Sequence, residues 1–189
     1  GMNPVKCSKM ENKFPNYIPE KRVVVISSEF PPGPGGLGNH AYNLCLALKN
    51  KGFNVHALCS GDYRDDKEIQ QFDRSQNFKI IRFKRKGIMT YPLRFSLTSK
   101  IIKDTQPAEI ILSGKFPVWM TRWLKKRWSS LPIKVFLHGS EVRLSQRWAR
   151  WLLYYSLQKA DMFHPVSRFT YNLLPEKIKN GQPYQIIPN

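Results

Sequence analysis

Residues 23–38 read VVVISSEFPPGPGGLG, and this stretch decides the fold class of the chain. The run Val23–Ser28 is apolar and mostly β-branched, which is typical of a strand buried on both faces of a parallel sheet. A loop rich in proline and glycine follows it. Apolar residues then recur at helical spacing from Leu37 to Leu48, and Lys51-Gly52 is a typical helix end. The strand, loop and helix together indicate an α/β protein.

The same alternation of apolar strands and longer helical stretches continues along the chain. It predicts one domain over residues 22–189, with a Rossmann-like, doubly wound parallel sheet of about seven strands and helices on both faces. Ligand sites of such sheets form at the carboxyl ends of the strands. The polar residues 61–77 are predicted to be an exposed excursion. The predicted strands are 23–28, 54–59, 78–83, 109–113, 133–137, 162–166 and 185–187, and the predicted helices are 37–48, 93–104, 116–128, 144–159 and 169–179.

The amino-terminal end and the cysteines say little about chemistry. Gly1-Met2 is typical of a cleaved purification tag, so residues 1–21 are predicted to be a tag scar and a flexible extension. Cys7, Cys45 and Cys59 show no metal-ligand spacing, which fits a reducing cytosol and small core hydrophobes. No apolar run approaches the roughly 18–20 residues that span a bilayer.

The glycine loop matches the pattern GxGxxG at Gly33–Gly38. Glycines let backbone N–H groups approach a phosphate, and the helix amino terminus attracts its charge. A dinucleotide site would need a tight turn directly after the strand and an acidic residue about twenty positions later. Here the first glycine follows Ser28 by five positions, and the only acid available is Asp62, beyond the second strand. A dinucleotide site is therefore disfavoured, and a loop that merely connects strand to helix is the other alternative.

Four motifs in order and at the right spacing resemble those of family 4 glycosyltransferases. Each motif is weak alone, but the combination is specific and covers roughly residues 22–189. The motifs are EFPPGPGGLGNH at 29–40 with KGFNV at 51–55, VFLHGSE at 135–141, ADMFHPVS at 160–167 and IIPN at 186–189.

The resemblance implies the amino-terminal, acceptor-side half of a retaining enzyme of the two-domain GT-B architecture. Such an enzyme moves a sugar from a nucleotide-sugar donor to a glycan or lipid-linked acceptor, and we expect a role in bacterial surface polysaccharide or lipopolysaccharide synthesis. The second domain, with most donor contacts and an E-x7-E element, would follow Asn189. This chain alone is expected to be inactive, and neither a metal nor another cofactor is expected.

The resemblance also implies roles for residues at the strand ends. His138 is the expected catalytic residue, because it would face the donor sugar and position or polarise groups there; the alternative is a histidine that only bonds a neighbouring loop. Gly35 and Gly36 would bring backbone amides close to the diphosphate or the donor sugar.

Four further residues are acceptor-side candidates, each with a structural alternative. His40 either faces the cleft or packs against the next loop. Glu141 either bonds an acceptor hydroxyl or caps the next helix, and capping is favoured. Arg168 would meet an anionic group, although a lone arginine there is more often a surface residue. Lys115, after the strand end Ser113, would meet an acidic acceptor.

The charge of the chain is strongly positive and unevenly placed. The formal net charge is +18, and residues 82–134 hold 13 Lys and Arg against 2 Asp and Glu. Aromatic residues in 116–128 recur at helical spacing, so this helix either packs on the sheet, which is favoured for the stripe, or lies at an anionic membrane. The candidates for a membrane face are Arg85, Lys86, Trp119, Arg122, Trp123, Lys125 and Lys126.

Two rival functions come from other classes. A basic nucleic-acid-binding module would suit the charge and the aromatic content, but no zinc spacing, RNP-like strand or helix-turn-helix pattern supports it. A dinucleotide-binding Rossmann enzyme is the second rival. We therefore expect a cytoplasmic protein, peripheral at the inner face of the membrane, whose partners are a nucleotide-sugar, an acceptor glycan, anionic lipid and its own second domain.

Overall fold

The computed structural model describes residues 20–188 and contains one parallel sheet of six strands. The strand order β3-β2-β1-β4-β5-β6 places the first strand at the centre, with Val25 level with Ala57 of β2 and Ile111 of β4. This is the order of a doubly wound sheet, in which the direction of strand addition reverses between β1 and β4. The strands are β1 (Arg22–Ser27), β2 (Asn54–Ser60), β3 (Lys79–Phe83), β4 (Glu109–Ser113), β5 (Ile133–Leu137) and β6 (Met162–Pro165).

Helices cover both faces of the sheet, because alternate strand residues point to opposite sides. Val24 and Ile26 of β1 belong to one buried cluster, whereas Val23 and Val25 belong to the other. The helices are α1 (Gly36–Asn50), α2 (Asp66–Arg74), α3 (Thr90–Thr105), α4 (Lys115–Trp119), α5 (Thr121–Arg127), α6 (Arg147–Leu157), α7 (Arg168–Asn172) and α8 (Glu176–Gly181). The α/β, Rossmann-like prediction is confirmed.

The predicted seventh strand is not formed within the described residues. Residues 185–187 run beside β6 and make two backbone hydrogen bonds, from Gln185 N–H to the Phe163 carbonyl at 3.2 Å and from Ile187 N–H to the Pro165 carbonyl at 3.1 Å. Pro183 and Pro188 flank this segment, and proline has no N–H to extend a ladder. The count is therefore six strands, with an extended tail at the β6 edge.

Several predicted helices differ in their bounds. The helix predicted for 116–128 is two short helices that meet at Met120. The helix predicted for 169–179 is interrupted before Pro175, where α7 ends and α8 begins. The predicted excursion 61–77 contains α2, which starts where the Asp65 carboxylate accepts the Glu68 N–H at 2.9 Å. The sequence did not predict α2, because the segment is rich in acidic residues and only one position of its helical period, Ile69, is buried.

Two predictions concern the cysteines and the amino terminus. Cys45 and Cys59 are free and fully buried, and burial raises the pKa of Cys59 to about 12. They pack as small hydrophobes, as expected. Cys7 and nearly all of the predicted extension 1–21 lie outside the described residues. Among residues 20–188 there is no helix long and apolar enough to cross a membrane.

Candidate functional site

The site lies at the carboxyl edge of the sheet, where the strand order reverses between β1 and β4. The Ser28 N–H donates to the Ser113 carbonyl at 3.2 Å, which ties the two strand ends together. Gly114 follows with φ +100°, and a Cβ there would collide with the Ser28 hydroxyl. Only glycine fits this junction, because a side chain would meet both a strained backbone and a filled space.

His138 follows β5 and bonds the neighbouring strand end. Its Nε2 lies 3.0 Å from the Ser113 Oγ, and its ring packs edge-on against His40 with the ring centroids 4.7 Å apart. The other ring nitrogen, Nδ1, makes no hydrogen bond to a described residue and is not among the fully buried, unpartnered atoms. Nε2 of His138 therefore bonds a neighbouring strand end, as the structural alternative expects. Nδ1 makes no bond within residues 20–188, as a role in positioning a substrate requires.

The two histidines are neutral at pH 7. Burial lowers the pKa of His138 to about 4, with a smaller contribution from His40. Burial also lowers the pKa of His40, whose Nδ1 is buried without a partner. The His40 ring lies against Phe136, which itself stacks on His164 with the ring centroids 4.9 Å apart. Neutral imidazoles can exchange hydrogen bonds with sugar hydroxyls, but they do not supply a positive charge to a phosphate.

Glu141 supports the turn that carries His138. Its side chain is fully buried, and Oε2 accepts the His138 backbone N–H at 3.0 Å. Burial raises the pKa of Glu141, although the backbone N–H groups of the turn oppose that shift. The favoured interpretation as a helix cap is wrong, because α6 begins only at Arg147. Burial also keeps the carboxylate away from an acceptor hydroxyl.

The glycine loop and His40 border a cavity along α1. The cavity has a volume of about 300 Å³ and includes Gly36, His40 and Pro188 in its wall. A Cβ on Gly36 would meet nothing within 4 Å, so a ligand can approach this backbone. Gly35 has φ +119°, and a Cβ there would lie 2.6 Å from Glu29 Oε2. The positive φ and the nearby Glu29 carboxylate therefore explain why position 35 requires glycine. At position 36, glycine leaves the backbone open to a ligand.

The same region argues against a dinucleotide site. Residues 28–35 separate β1 from α1, so the turn is not tight. The carboxylate of Asp62 bonds Ser60 at 2.8 Å and Arg85 at 3.1 Å, and these bonds hold its pKa below the usual value although burial opposes them. The Asp62 carboxylate is therefore occupied by Ser60 and Arg85 and is not available to a ribose hydroxyl.

A second cavity, the cationic cleft, lies on the other side of the junction and has a volume of about 470 Å³. It contains one sequence candidate of the acceptor side, Lys115, and two of the membrane face, Arg85 and Trp119. Motif analysis missed Arg94, Tyr91 and Trp148, because only folding brings α3, α4 and α6 together here. The cleft is lined by Ser28, Arg85, Gly87, Thr90, Tyr91, Arg94, Lys115, Phe116, Trp119 and Trp148.

The aromatic stripe of 116–128 faces inward, which is the favoured one of its two alternatives, packing on the sheet. Trp119 and Trp123 are partly buried against the core cluster, and Trp123 lies 4.6 Å from Phe95 between ring centroids. The Arg122 guanidinium donates to the Tyr155 carbonyl at 3.0 Å, and Lys125 pairs with Asp161 at 3.0 Å.

The exposed aromatic and apolar residues are on other elements. Trp148 and Trp151 of α6 are 60% and 62% exposed, and Ile88 before α3 is 82% exposed. Lys86 and Lys126, two candidates for a membrane face, are exposed.

Arg168 follows the carboxyl end of β6. It is exposed at the start of α7, whose cap is Ser167, with Oγ accepting the Thr170 N–H at 3.1 Å. Residues 20–188 contain no group of three or more His, Cys, Asp or Glu that could hold a metal ion.

Comparisons with known proteins agree with this arrangement. The lipopolysaccharide outer core galactosyltransferase WaaB is similar with a TM-score of 0.62 and 15% identity over 89% of this chain and 45% of that one. HepE of Anabaena, solved with UDP, is similar with a TM-score of 0.59 and 13% identity over 89% of this chain and 44% of that one. MurG of Acinetobacter baumannii is similar with a TM-score of 0.54 and 13% identity over 89% of this chain and 44% of that one. These are GT-B glycosyltransferases, and the chain spans less than half of their length. No curated protein matches the chain in sequence.

The family assignment rests on sequence as well as on fold. The family model described as Glycosyltransferase Family 4 matches residues 34–189, which include the glycine loop, the strand-end histidine and the carboxyl-terminal tail. The chain therefore belongs to glycosyltransferase family 4 and has the fold of a GT-B amino-terminal domain.

Proposed function

We propose that this chain is the acceptor-side domain of a retaining hexosyltransferase that uses a nucleotide-sugar donor. The acceptor is a glycan or a lipid-linked saccharide at an anionic membrane surface, in the synthesis of a bacterial surface polysaccharide or lipopolysaccharide. The second, donor-binding domain completes the cleft, and this chain alone is inactive. No metal takes part.

The observation that carries the proposal is the His138 site at the strand-order reversal. Ser113 holds His138 on one side at 3.0 Å, and on the other side Nδ1 makes no hydrogen bond within residues 20–188. A neutral, fixed imidazole can position a sugar hydroxyl while positive charge develops on the sugar ring, because it adds no charge of its own. Family membership over residues 34–189 supports the same role.

The donor assignment is supported by the glycine loop and by the relatives. The open backbone at Gly36 and the start of α1 suit the approach of a diphosphate. HepE of Anabaena was solved with UDP, and WaaB is named as a galactosyltransferase of the lipopolysaccharide outer core. A nucleotide-sugar and a hexosyl group are therefore the substrates that we propose for this chain.

The membrane assignment is supported by exposed apolar residues beside cations. Ile88 and Met89 are exposed next to Arg85 and Lys86, and the exposed tryptophans of α6 alternate with arginines in Arg147–Trp151. Tryptophan favours the headgroup region of a bilayer, and Lys and Arg are attracted to anionic lipid.

The test of the catalytic assignment is His138→Ala in the full-length enzyme with its second domain. We expect kcat to fall about 100-fold or more, because positioned groups of this kind typically contribute factors of 10²–10⁴. His56→Ala is the matched control, since burial also lowers the pKa of His56 but it lies in β2, away from the site. Equal turnover of the His138 and His56 variants would contradict the assignment.

The test of the membrane assignment uses this chain and vesicles. Binding should rise with the phosphatidylglycerol content and weaken with salt. Trp151→Ala should weaken it several-fold, since an exposed Trp loses interfacial contact, whereas Lys51→Ala on the end of α1 should not. Binding that ignores both lipid charge and salt would remove the membrane from the proposal.

A further inference from the structure

The cationic cleft contains positive charge that the protein itself does not neutralise. Of its three cations, Arg85 pairs with Asp62 at 3.1 Å. Arg94 and Lys115 form no ion pair within residues 20–188, and no acidic side chain lines the cleft. Like charges gathered in one cavity repel each other, and an anion between them would remove that cost.

Arg94 is held in place by aromatic rings instead of by an acid. Its guanidinium carbon lies 4.3 Å from the centre of the Phe116 ring and 4.9 Å from that of Phe83. Its Nε is buried and has no hydrogen-bond partner among residues 20–188. Burial lowers the pKa of Arg94, and the neighbouring charge of Arg85 contributes to that shift. The rings fix the guanidinium plane, so its remaining donors are already oriented for a ligand.

The wall of the cleft suits a sugar ring beside the anion. Tyr91 and Phe116 lie 5.3 Å apart between ring centroids, and Trp119 and Trp148 lie 6.1 Å apart. Flat aromatic faces pack against the C–H faces of a pyranose. The volume of about 470 Å³ is in the range of small-molecule sites, about 300–1,000 Å³. A concave site of this size fits one or two sugar residues better than a nucleic-acid strand.

The cleft is one residue away from the His138 site along the chain. Ser113 bonds His138, Gly114 packs on Ser28, and Lys115 belongs to the cleft. We infer that the cleft is an anion subsite that selects acceptors whose saccharide carries a phosphate or carboxylate group. Arg94 binds the anion through its fork, Lys115 adds a second charge, and Trp148 packs on the sugar. The word acceptor rests on the proposed transferase function, whereas the binding itself does not.

Calorimetric titration of the 189-residue chain tests this inference with defined probes: glucose 6-phosphate, glucuronate and glucose. We expect the two anionic sugars to bind about tenfold or more tightly than glucose, because hydrogen bonds to charged groups are the strong ones. The preference should decrease with salt. Comparing glucose 6-phosphate with glucuronate shows which anion is favoured. Equal binding of all three sugars would overturn the inference.

Two variants locate the anion. Lys115→Met is expected to weaken glucose 6-phosphate binding several-fold and cannot disturb the core, because Lys115 is exposed. Arg94→Lys keeps the charge but loses the fork, and it should weaken binding about tenfold. Arg74→Met removes one exposed cation from α2, outside the cleft, and serves as the charge-matched control. A loss as large in Arg74→Met, or no loss in the first two, would overturn the inference.

Two other ligands give distinguishable results. If the cleft binds a lipid headgroup, Arg94→Lys weakens binding to phosphatidylglycerol vesicles and leaves glucose 6-phosphate binding unchanged. If the cleft binds nucleic acid, a single-stranded oligonucleotide binds more tightly than either sugar. Lys115→Met and Arg94→Lys then abolish that oligonucleotide binding. Either result overturns the saccharide assignment. Failure of these titrations leaves the His138→Ala experiment unaffected, and unchanged turnover in His138→Ala leaves the titrations unaffected.

Discussion

The histidine site and the cationic cleft lie on either side of one junction and are built in opposite ways. His138 has protein partners on several sides, namely Ser113, His40 and the Glu141 carboxylate on its backbone N–H. Arg94 and Lys115 have no acidic partner within residues 20–188. The histidines are neutral and half-buried, whereas the cleft is lined by cations and opens to solvent.

This difference separates positioning from selection. A group that must hold a reacting sugar needs a fixed orientation, and neighbouring side chains provide it. A group that must recognise an anion has to stay charged and unpaired until the ligand arrives, since a protein acid would compete with the ligand. The two constructions therefore suit the two tasks that we propose for this edge of the sheet.

The largest expected effect tests how deeply the histidine site is built into the core. Phe136→Ala should lower the free energy of unfolding by about 3–5 kcal/mol, because Phe136 is 3% exposed and supports His40. Trp148→Ala, at the rim of the cleft and 60% exposed, should change it by about 1 kcal/mol or less. Urea unfolding measures both, and equal losses would contradict the contrast between the two regions.

The next effect concerns the junction that joins them. Gly114→Ala should cost about 2–3 kcal/mol, because the new Cβ meets Ser28 and the backbone has positive φ. Gly36→Ala is the matched control, since nothing lies within 4 Å of its Cβ and its φ is ordinary. Thermal and urea unfolding should show near-native stability for the control. A stable Gly114→Ala would mean that the two loops are not tightly packed.

A smaller effect isolates the bond between Ser113 and His138. Ser113→Ala should cost about 1 kcal/mol of stability, because one buried hydrogen bond is lost. In the full-length enzyme it should also lower kcat about tenfold through misplacement of the imidazole. Ser156→Ala removes a comparable buried bond, to the Trp119 carbonyl at 3.3 Å, and should leave kcat unchanged. Equal kcat values in the two variants would make the Ser113 bond purely structural.

The last effect is a pH dependence of stability. The pKa of His138 is about 4 in the folded chain and ordinarily near 6.5, so the unfolded chain binds more protons between these values. Stability should therefore fall as the pH decreases from 6.5 towards 4, and Glu141, with its raised pKa, should partly offset the loss. Melting temperatures at pH 7 and pH 5 measure this change. His138→Asn should reduce the difference, and an unchanged difference would contradict the assigned pKa.

Much of the fold could be predicted from local pattern. The β-branched run at β1 and the apolar runs at β2 to β6 identified six strands, because residues buried on both faces leave a continuous signal. The tail at 185–187 has the same composition, but Pro183 and Pro188, which flank it, lack the N–H groups that would extend the ladder. The helix α2 was missed since eight of its nine positions are not buried and its acids resemble a loop.

The candidate site could be predicted only in part. His138, Gly36 and Lys115 lie at strand ends, so their position at the carboxyl edge follows from the chain order. Glu141 shows the limit, because nothing in its sequence context indicates whether the carboxylate faces a helix, a ligand or its own turn. Trp123 and Trp148 show it again, since both lie in aromatic, basic helices and only Trp123 packs against the core.

By itself, the sequence determined the α/β class, the parallel sheet and the edge that carries the candidate site, because period and chain order are local properties. The tertiary structure alone decided which residues act together. Ser113 and His138 are 25 positions apart, and Arg94 reaches Phe116 from another helix. Such contacts depend on strand register and helix packing, which arise from the collective burial of the core and not from the composition of any one segment.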